Sequence, residues 1–158
     1  RQRSLKIVWN PGIEQLAAGI RNLRPYLAAT DVLLLNQDEA LELAMSGGAR
    51  VPDSHPRVLA RLLHRFGSHM TVVTAGHRGA YLFDGKKVHY QPAKIGNTVN
   101  KTGAGDAFGS GLTSGLIMFS DVSKALKLAM HNSYSVVSDY GAQTGILSRK
   151  DLRRLKLT

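Results

Sequence analysis

The 158-residue chain contains no cysteine, which excludes disulfide bonds and thiolate chemistry. That absence fits a reducing compartment, and we expect a cytoplasmic location. No run of the sequence approaches the roughly 18 consecutive apolar residues that a membrane-spanning helix needs. The amino terminus has neither an initiator Met nor an apolar stretch long enough for a secretory signal. The length predicts one domain, residues 1–158, and the composition predicts a soluble globular protein. The missing initiator Met is consistent with a fragment or a processed chain.

Acidic and aromatic residues are also scarce. The chain has 11 Asp and Glu against 21 Lys and Arg, a formal net charge of +10, and only 6% aromatic residues. Basic residues cluster at Arg57, Arg61 and Arg65, and again in the segment RKDLRRLK that starts at Arg149. Aromatic residues are not interleaved with these clusters, and no motif of a DNA- or RNA-binding protein accompanies them. We therefore interpret the clusters as solvated helix faces and do not expect nucleic acid as a partner, although the same charge would attract a polyanionic small substrate.

Segments typical of strands alternate with segments typical of helices. Apolar runs at Leu5–Trp9, Asp31–Asn36 and Met70–Gly76 predict strands, and the second is apolar on both faces, as in a parallel sheet. Asp84-Gly85 between two short apolar runs predicts a hairpin. Helices are predicted over 16–27 with an interruption near Pro25, over 38–45, from Pro56 to Gly67, from the glycine-rich segment onward, over 122–137 and over about 150–155. This alternation predicts an α/β layered domain with a largely parallel sheet.

The segment NKTGAGDAFGSGL, Asn100 to Leu112, places four glycines around one aspartate where a long apolar segment begins. Glycine costs about 1 kcal/mol inside a helix relative to alanine, so its repeated use needs a reason. Three interpretations compete: a phosphate cradle with a catalytic base, a dinucleotide-binding fingerprint, and a helix packed closely through Gly109, Gly111 and Gly115.

Asp106 discriminates among these interpretations. A carboxylate would repel a resting pyrophosphate, whereas a phosphoryl-transfer site needs one to take the proton from an attacking hydroxyl. The dinucleotide fingerprint should follow a strong strand and open a βαβ unit, but KIGNTVN is a weak strand and another helix follows. Close helix packing is compatible with the other interpretations and does not account for Asp106. The first interpretation is favoured, with the amides of Gly103-Ala104-Gly105 as the anion site.

The segment NTVNKTGAGDAFGSGL resembles the second signature of the ribokinase-like (PfkB-type) carbohydrate kinases, commonly D-T-x-G-A-G-D-x-F-x-x-G. Asn36 to Glu39, NQDE, is similar to the family's N-x-x-E element. VVTAGHRGAYLF resembles its V-T-x-G-x-x-G nucleotide loop, and DYGAQTG resembles its Gly-Ala turn. The order and spacing match the C-terminal half of that fold along essentially the whole chain. The resemblance implies a three-layer α/β/α, Rossmann-like architecture with a largely parallel central sheet plus a β-hairpin.

The resemblance also implies roles for individual residues. Asp106 would be the catalytic base, and Gly103, Ala104 and Gly105 would form the anion hole for the γ-phosphoryl group. Asn36 and Glu39 would organise Mg²⁺ and phosphates through water. The residues that would contact the nucleotide are Thr74, Gly76, Gly79, Lys101, Thr102 and, least directly implied, Asn132 on the adenine side.

Several of these residues have a purely structural alternative. Asn36-x-x-Glu39 is also the pattern of a helix N-cap with its capping-box glutamate. Thr74-x-Gly76 also fits a strand end and a turn, and Asp106 also fits an acidic N-cap. The six histidines lack the spacing of metal ligands and are interpreted as surface or packing residues.

The sequence departs from the family pattern in two respects. Asn100 and Lys101 replace the usual Asp-Thr, and a neutral amide binds a cation less well than a carboxylate. A monovalent-cation site is therefore less expected, and Lys101 would instead bring positive charge to the phosphates. Family members are also about twice as long, and the half that carries most sugar-binding residues and the lid is not visible here.

The expected function is an ATP- and Mg²⁺-dependent kinase that phosphorylates a hydroxyl of a sugar or polyol, represented by its nucleotide-binding half. A second copy of the chain or a complementary chain is the candidate protein partner. The alternatives are a non-catalytic nucleotide-binding or interaction module and a basic nucleic-acid-binding domain.

Overall fold

The computed structural model describes residues 5–48, 50–51, 53–155 and 157. The chain divides into two compact units. The first comprises the described residues up to Ala75 together with Tyr81–His89. The second comprises Gly76–Ala80 and the described residues from Tyr90 onward. The single domain expected from the chain length stays a prediction.

The sheet has five strands in the spatial order β1-β2-β3-β4-β5. Strand β1 pairs with β2 and β2 with β3, both in parallel, and Asn36 lies opposite Thr74 at the carboxyl end of the second pair. The runs of Val and Leu in β2 and β3 are buried on both faces, as the sequence predicts for a parallel sheet. The strands are β1 Val8–Trp9, β2 Val32–Asn36, β3 Met70–Thr74, β4 Ala80–Phe83 and β5 Val88–Gln91.

Four helices belong to the first unit, and their apolar faces form one core with β2 and β3. Fully buried leucines of this core include Leu27, Leu35, Leu43 and Leu63. The helices are α1 Ile13–Ala17, α2 Gly19–Ala28, α3 Gln37–Ser46 and α4 Pro56–His64. The turn that joins β4 to β5 closes with a hydrogen bond from Asp84 N to Lys87 O at 3.3 Å, as expected for the hairpin.

The second unit is built mainly on a close pair of helices, α5 Ala104–Met118 and α6 Val122–Val137. Glycines allow the approach: a Cβ at Gly111 would lie 2.9 Å from Ala129 Cα, and one at Gly115 would lie 2.6 Å from Ala125 Cα. The short helix α7 Arg149–Arg154 joins a smaller apolar cluster with Leu128. The close-packed-helix interpretation is therefore confirmed for Gly111 and Gly115.

Two predicted segments differ from the structure for a clear physical reason. The helix of residues 16–27 is not interrupted at Pro25, which lies inside α2. The break falls at Gly19, whose φ of 75° is left-handed and cannot continue a right-handed helix. The strand predicted over Leu5–Trp9 is shorter, since only Val8 and Trp9 pair in the sheet.

Candidate active site

In the first unit, Asn36 and Glu39 form a reciprocal capping box at the start of α3. Glu39 N donates to Asn36 Oδ1 at 2.9 Å, and Asn36 N donates to Glu39 Oε2 at 2.8 Å. The pair arises because β2 ends at Asn36 in an extended conformation and α3 begins at the next residue. The structural alternative for this motif is confirmed, and no protein hydrogen bond of the described residues uses the second carboxylate oxygen of Glu39, Oε1.

Thr74 lies beside Asn36 because their strands are adjacent and parallel. The two residues are opposite each other in the β2–β3 register, and Thr74 Oγ1 donates to Leu35 O at 3.4 Å. The carboxyl ends of parallel strands are where α/β folds bind ligands. Asn36, Glu39 and Thr74 therefore form one polar group at a sheet edge suited to a ligand.

In the second unit, Gly76 and Gly79 shape the turn that follows β3. Gly76–Arg78 forms one turn of 3₁₀-helix, and both glycines have positive φ, 52° and 87°. A Cβ on Gly79 would lie 2.9 Å from Pro92 Cα and would overlap the carbonyl oxygen of Gln91. Gly79 is therefore required by packing, whereas nothing lies within 4 Å of the Cβ position of Gly76.

The start of α5 presents unpaired backbone amides next to a carboxylate. Gly103 is the N-cap in the left-handed region, with φ 79°, and Asp106 is exposed in the first turn. Within the described residues, no acceptor takes a hydrogen bond from the N–H of Gly105 or of Asp106. The space in front of Gly105 is open, since a Cβ there would meet nothing within 4 Å. Free amides and the positive end of a helix dipole together favour an anion at this point.

The residues before Gly103 fold into a tight turn that leads into the helix. Thr102 N donates to Asn100 Oδ1 at 2.9 Å, and Ala104 N donates to Lys101 O at 3.3 Å. The Asn100 side chain thus supports the turn itself. Lys101 and Thr102 are exposed, so the Lys101 ammonium is available to an anion bound at the start of α5.

Asn132 lies on α6, and its side-chain amide contacts helix α5. Its side chain is 4% exposed. Its Nδ2 donates to Ala107 O at 2.8 Å, and its Oδ1 accepts from Leu147 N at 2.9 Å. Through these bonds Asn132 holds Ala107, the residue after Asp106, in place. Its predicted contact with adenine stays a prediction.

Two residues that the sequence did not single out also position the anion site. Ser133 Oγ donates to Ala104 O at 2.9 Å. The backbone of Ala142 lies against Gly103, where a Cβ would come within 2.7 Å of Ala142 O. The role of Ala142 could have been predicted, because this residue lies in the Gly-Ala turn DYGAQTG. The role of Ser133 could not, because a single Ser on a helix belongs to no recognisable motif.

Basic side chains of the second unit give positive potential beside α6. Burial lowers the pKa of His131, and the neighbouring charges of Lys94 and Lys127 lower it further. The Lys94 ammonium also lies 5.1 Å from the ring centroid of Tyr134. The positive charges beside His131 suit a polyanionic ligand.

Comparison with known proteins identifies the family. Residues 7–149 match the model of the pfkB family carbohydrate kinases. A cytidine kinase from Thermococcus kodakarensis is 28% identical over 121 residues, covering 75% of this chain and 41% of that protein. A ribokinase from Lactococcus lactis is 25% identical over 146 residues, covering 92% of this chain and 43% of its own length. The chain therefore belongs to the pfkB family of carbohydrate kinases.

Solved structures agree on the fold. A nucleoside kinase from Methanocaldococcus jannaschii superposes with a TM-score of 0.80 at 21% identity, over 99% of this chain and 50% of that one. The predicted fold class, ribokinase-like α/β with a largely parallel sheet, is confirmed. The chain spans about half the length of the relatives it matches. No helix in the described part of the chain has the length and hydropathy to cross a membrane.

Proposed function

We propose that the chain provides the nucleotide-binding half of an ATP-dependent kinase that transfers the γ-phosphoryl group to a hydroxyl of a sugar or a related small molecule. The observation that carries the proposal is the start of α5, where the exposed carboxylate of Asp106 lies within one helical turn of the unpaired N–H of Gly105. Family membership makes phosphoryl transfer the chemistry that fits this arrangement.

Asp106 serves as the base. Its carboxylate takes the proton of the acceptor hydroxyl, and the oxygen then bonds to the γ-phosphorus while the bond from that phosphorus to the β–γ bridging oxygen breaks. ADP leaves with the bridging oxygen's electron pair. The amides of Gly103 and Gly105 form the anion hole and receive the charge on the transferred group. The Ala104 N–H, predicted as part of it, donates to Lys101 O at 3.3 Å and supports the turn instead. Both functions need the same short segment, which explains an acid among glycines.

Mg²⁺ is the metal that the family implies, and the polar group at the end of β2 fits it. Mg²⁺ usually keeps several waters and takes one or two carboxylates plus substrate phosphates. Glu39 has one carboxylate oxygen in the capping box and Oε1 outside it, so it can hold a hydrated ion without losing the cap. Asn36 would orient Glu39. When bound, Mg²⁺ neutralises phosphate charge.

The nucleotide would be bound by the remaining predicted residues. Thr74, Gly76, Gly79, Lys101 and Thr102 keep the nucleotide-binding roles that the family implies. Asn132 would act mainly by holding α5 in place, with adenine contact as its lesser role. Because the amide of Asn100 is engaged in its own turn, we propose no dependence on a monovalent cation.

The relatives support a choice of which acceptor to test first. A cytidine kinase and a ribokinase are among them, so a ribose-like hydroxyl, free or in a nucleoside, is the acceptor to test first. A complementary chain or a second copy is proposed as the protein partner. We also propose a cytoplasmic location. The alternative function is a non-catalytic nucleotide-binding module.

The decisive experiment combines ATP binding with phosphoryl transfer to a panel of sugars and nucleosides in the presence of Mg²⁺. Asp106→Asn should lower kcat by about 10²–10⁴-fold, the usual contribution of a general base, and leave the Kd for ATP within about twofold. Asp139→Asn is the matched control, since Asp139 is an exposed acid of the same unit. ATP binding without transfer to any acceptor would favour the module, and undiminished turnover in Asp106→Asn would refute the role of the base.

A further inference from the structure

The exposed face of α4 carries positive charge only. The helix sequence PRVLARLLH contains no Asp or Glu, and no acid lies in its first turn. Arg57 and Arg61 are exposed four residues apart, and Arg65 continues the row at the C-cap. Glu–Arg pairs at this spacing stabilise a helix, whereas like charges repel one another. Side-chain pairing within the helix therefore does not explain the arginine row.

The β4–β5 turn brings two more cations to this face. The ring of His64 lies against the turn, 3.4 Å from the Cβ position of Gly85. The Arg61 guanidinium lies 5.4 Å from the centroid of the Phe83 ring, which precedes the turn. Lys86 and Lys87 follow Gly85 and are exposed. We name these five residues, Arg57, Arg61, Arg65, Lys86 and Lys87, the α4–turn basic face.

The one acid within the turn does not neutralise this face. Asp84 Oδ1 accepts from Lys86 N and Lys87 N at 2.8 and 2.7 Å, and Oδ2 contacts His89 Nε2 at 2.7 Å. In the described parts of the chain, the ion pairs are Lys6–Asp31, His89–Asp84 and Arg154–Asp151, so none involves the basic face. All five cations are therefore open to an external anion.

We propose that the α4–turn basic face binds the phosphate backbone of a nucleic acid. Arg presents a planar fork of N–H donors that matches phosphate, and three of the five cations are Arg. A row of charges along one helix suits an extended polyanion better than a compact anion. Membrane docking would add exposed apolar side chains, but in the described structure the large exposed apolar residues lie outside α4 and the turn.

This inference is independent of the proposed kinase function, because the basic face contains none of the residues assigned to nucleotide or acceptor. It also revises an expectation from sequence. Aromatic residues were not interleaved with the basic cluster along the chain, but Phe83 lies against Arg61 in the fold. The second basic cluster, on α7, includes an acid, Asp151, which pairs with Arg154 at 3.9 Å. The α7 cluster therefore serves as the control for the α4–turn basic face.

The test is the binding of a fluorescent single-stranded oligouridylate of about 20 nucleotides to the full chain, measured by anisotropy over a series of salt concentrations. The test variant combines Arg57→Gln, Arg61→Gln and Arg65→Gln. The control removes the same charge from α7 with Arg149→Gln, Arg153→Gln and Arg154→Gln. Far-UV circular dichroism checks folding, and Lys86→Gln with Lys87→Gln provides a second test variant that leaves α4 intact.

Each α4 arginine that contacts a phosphate should contribute about 0.7 to the slope of log K against log salt. The α4 variant should therefore lose at least tenfold in affinity and about 2 in slope, the turn variant should lose affinity in the same direction, and the α7 control should change little. Equal losses in the α4 and α7 variants, no binding by the unaltered chain at low salt, or equal competition by poly-glutamate would each overturn the proposal.

Discussion

Asn132 Nδ2 donates a hydrogen bond to the carbonyl oxygen of Ala107 at 2.8 Å, so a buried amide of α6 holds the first turn of the helix that carries Asp106. The same side chain accepts from Leu147 N and thereby fixes the segment that leads into α7. One residue thus connects three parts of the second unit. The bond to Ala107 O is buried and the bond from Leu147 N is part-buried, so loss of the amide leaves polar groups with little access to water.

Removing this amide should destabilise the protein strongly. Asn132→Ala leaves Leu147 N without a partner, and we expect the free energy of unfolding to fall by about 1–3 kcal/mol. Urea denaturation measures it. Asn22→Ala is the control, because the Asn22 amide also bonds a helix carbonyl, Ala18 O, but is exposed; it should change stability by about 0.5 kcal/mol or less. Equal effects of the two changes would contradict the role given to Asn132.

The two kinds of glycine in α5 should respond oppositely to alanine. Gly115→Ala places a Cβ 2.6 Å from Ala125 Cα, and overpacking of this kind costs about 1–3 kcal/mol. The melting temperature should fall accordingly. An unchanged melting temperature would mean that α5 and α6 separate without cost.

Gly105→Ala should separate stability from nucleotide binding. Its Cβ meets nothing within 4 Å, and alanine in a helix gains up to about 1 kcal/mol over glycine, so stability should be kept or raised. The added methyl would occupy the space in front of the free amides, and the affinity for ATP should fall by tenfold or more. Isothermal titration calorimetry tests this. Unaltered ATP affinity would exclude the start of α5 as the phosphate site.

Glu39 can be tested for its two roles by two substitutions. Glu39→Gln keeps a side-chain oxygen that can accept from Asn36 N but removes the charge, so stability should change little while the Mg²⁺ dependence of ATP binding weakens. Glu39→Ala should also weaken the Mg²⁺ dependence of ATP binding. In addition, it should lower the free energy of unfolding by about 0.5–2 kcal/mol, because the helix cap is lost. If Glu39→Gln leaves the Mg²⁺ dependence unaltered, the residue is a capping residue alone.

The β4–β5 hairpin should lose stability in acid. Burial of Asp84 acts to raise its pKa, but hydrogen bonds from Lys87 N, His89 and Lys86 N outweigh it and hold the pKa well below the usual range. A carboxyl with a depressed pKa in the folded state contributes stability above its unfolded pKa, about 3.9, and loses it as pH falls below that value. Unfolding free energies between pH 6 and pH 3 should decline less steeply in Asp84→Asn. Parallel curves for the two proteins would contradict this assignment.

Several features were predictable from sequence because they depend on local chemistry. Buried strands β2 and β3 followed from unbroken apolar runs, α6 began and ended where its pattern predicted, and the hairpin turn followed from Asp84-Gly85. The family followed from motifs whose glycines and acid have fixed spacing. The break at Gly19 was missed because helical spacing continues across it and only the backbone torsion reveals it.

Sequence by itself determined the fold class, the family and the position of Asp106 beside a glycine-rich helix start. Each of these depends on patterns of residues that are close together along the chain. Tertiary structure alone decided which groups those residues meet. It placed the Asn132 amide on Ala107 O, brought the Ala142 backbone against Gly103, and set Lys86 and Lys87 beside the arginines of α4. These contacts join residues far apart in sequence, and packing fixes them rather than any local preference.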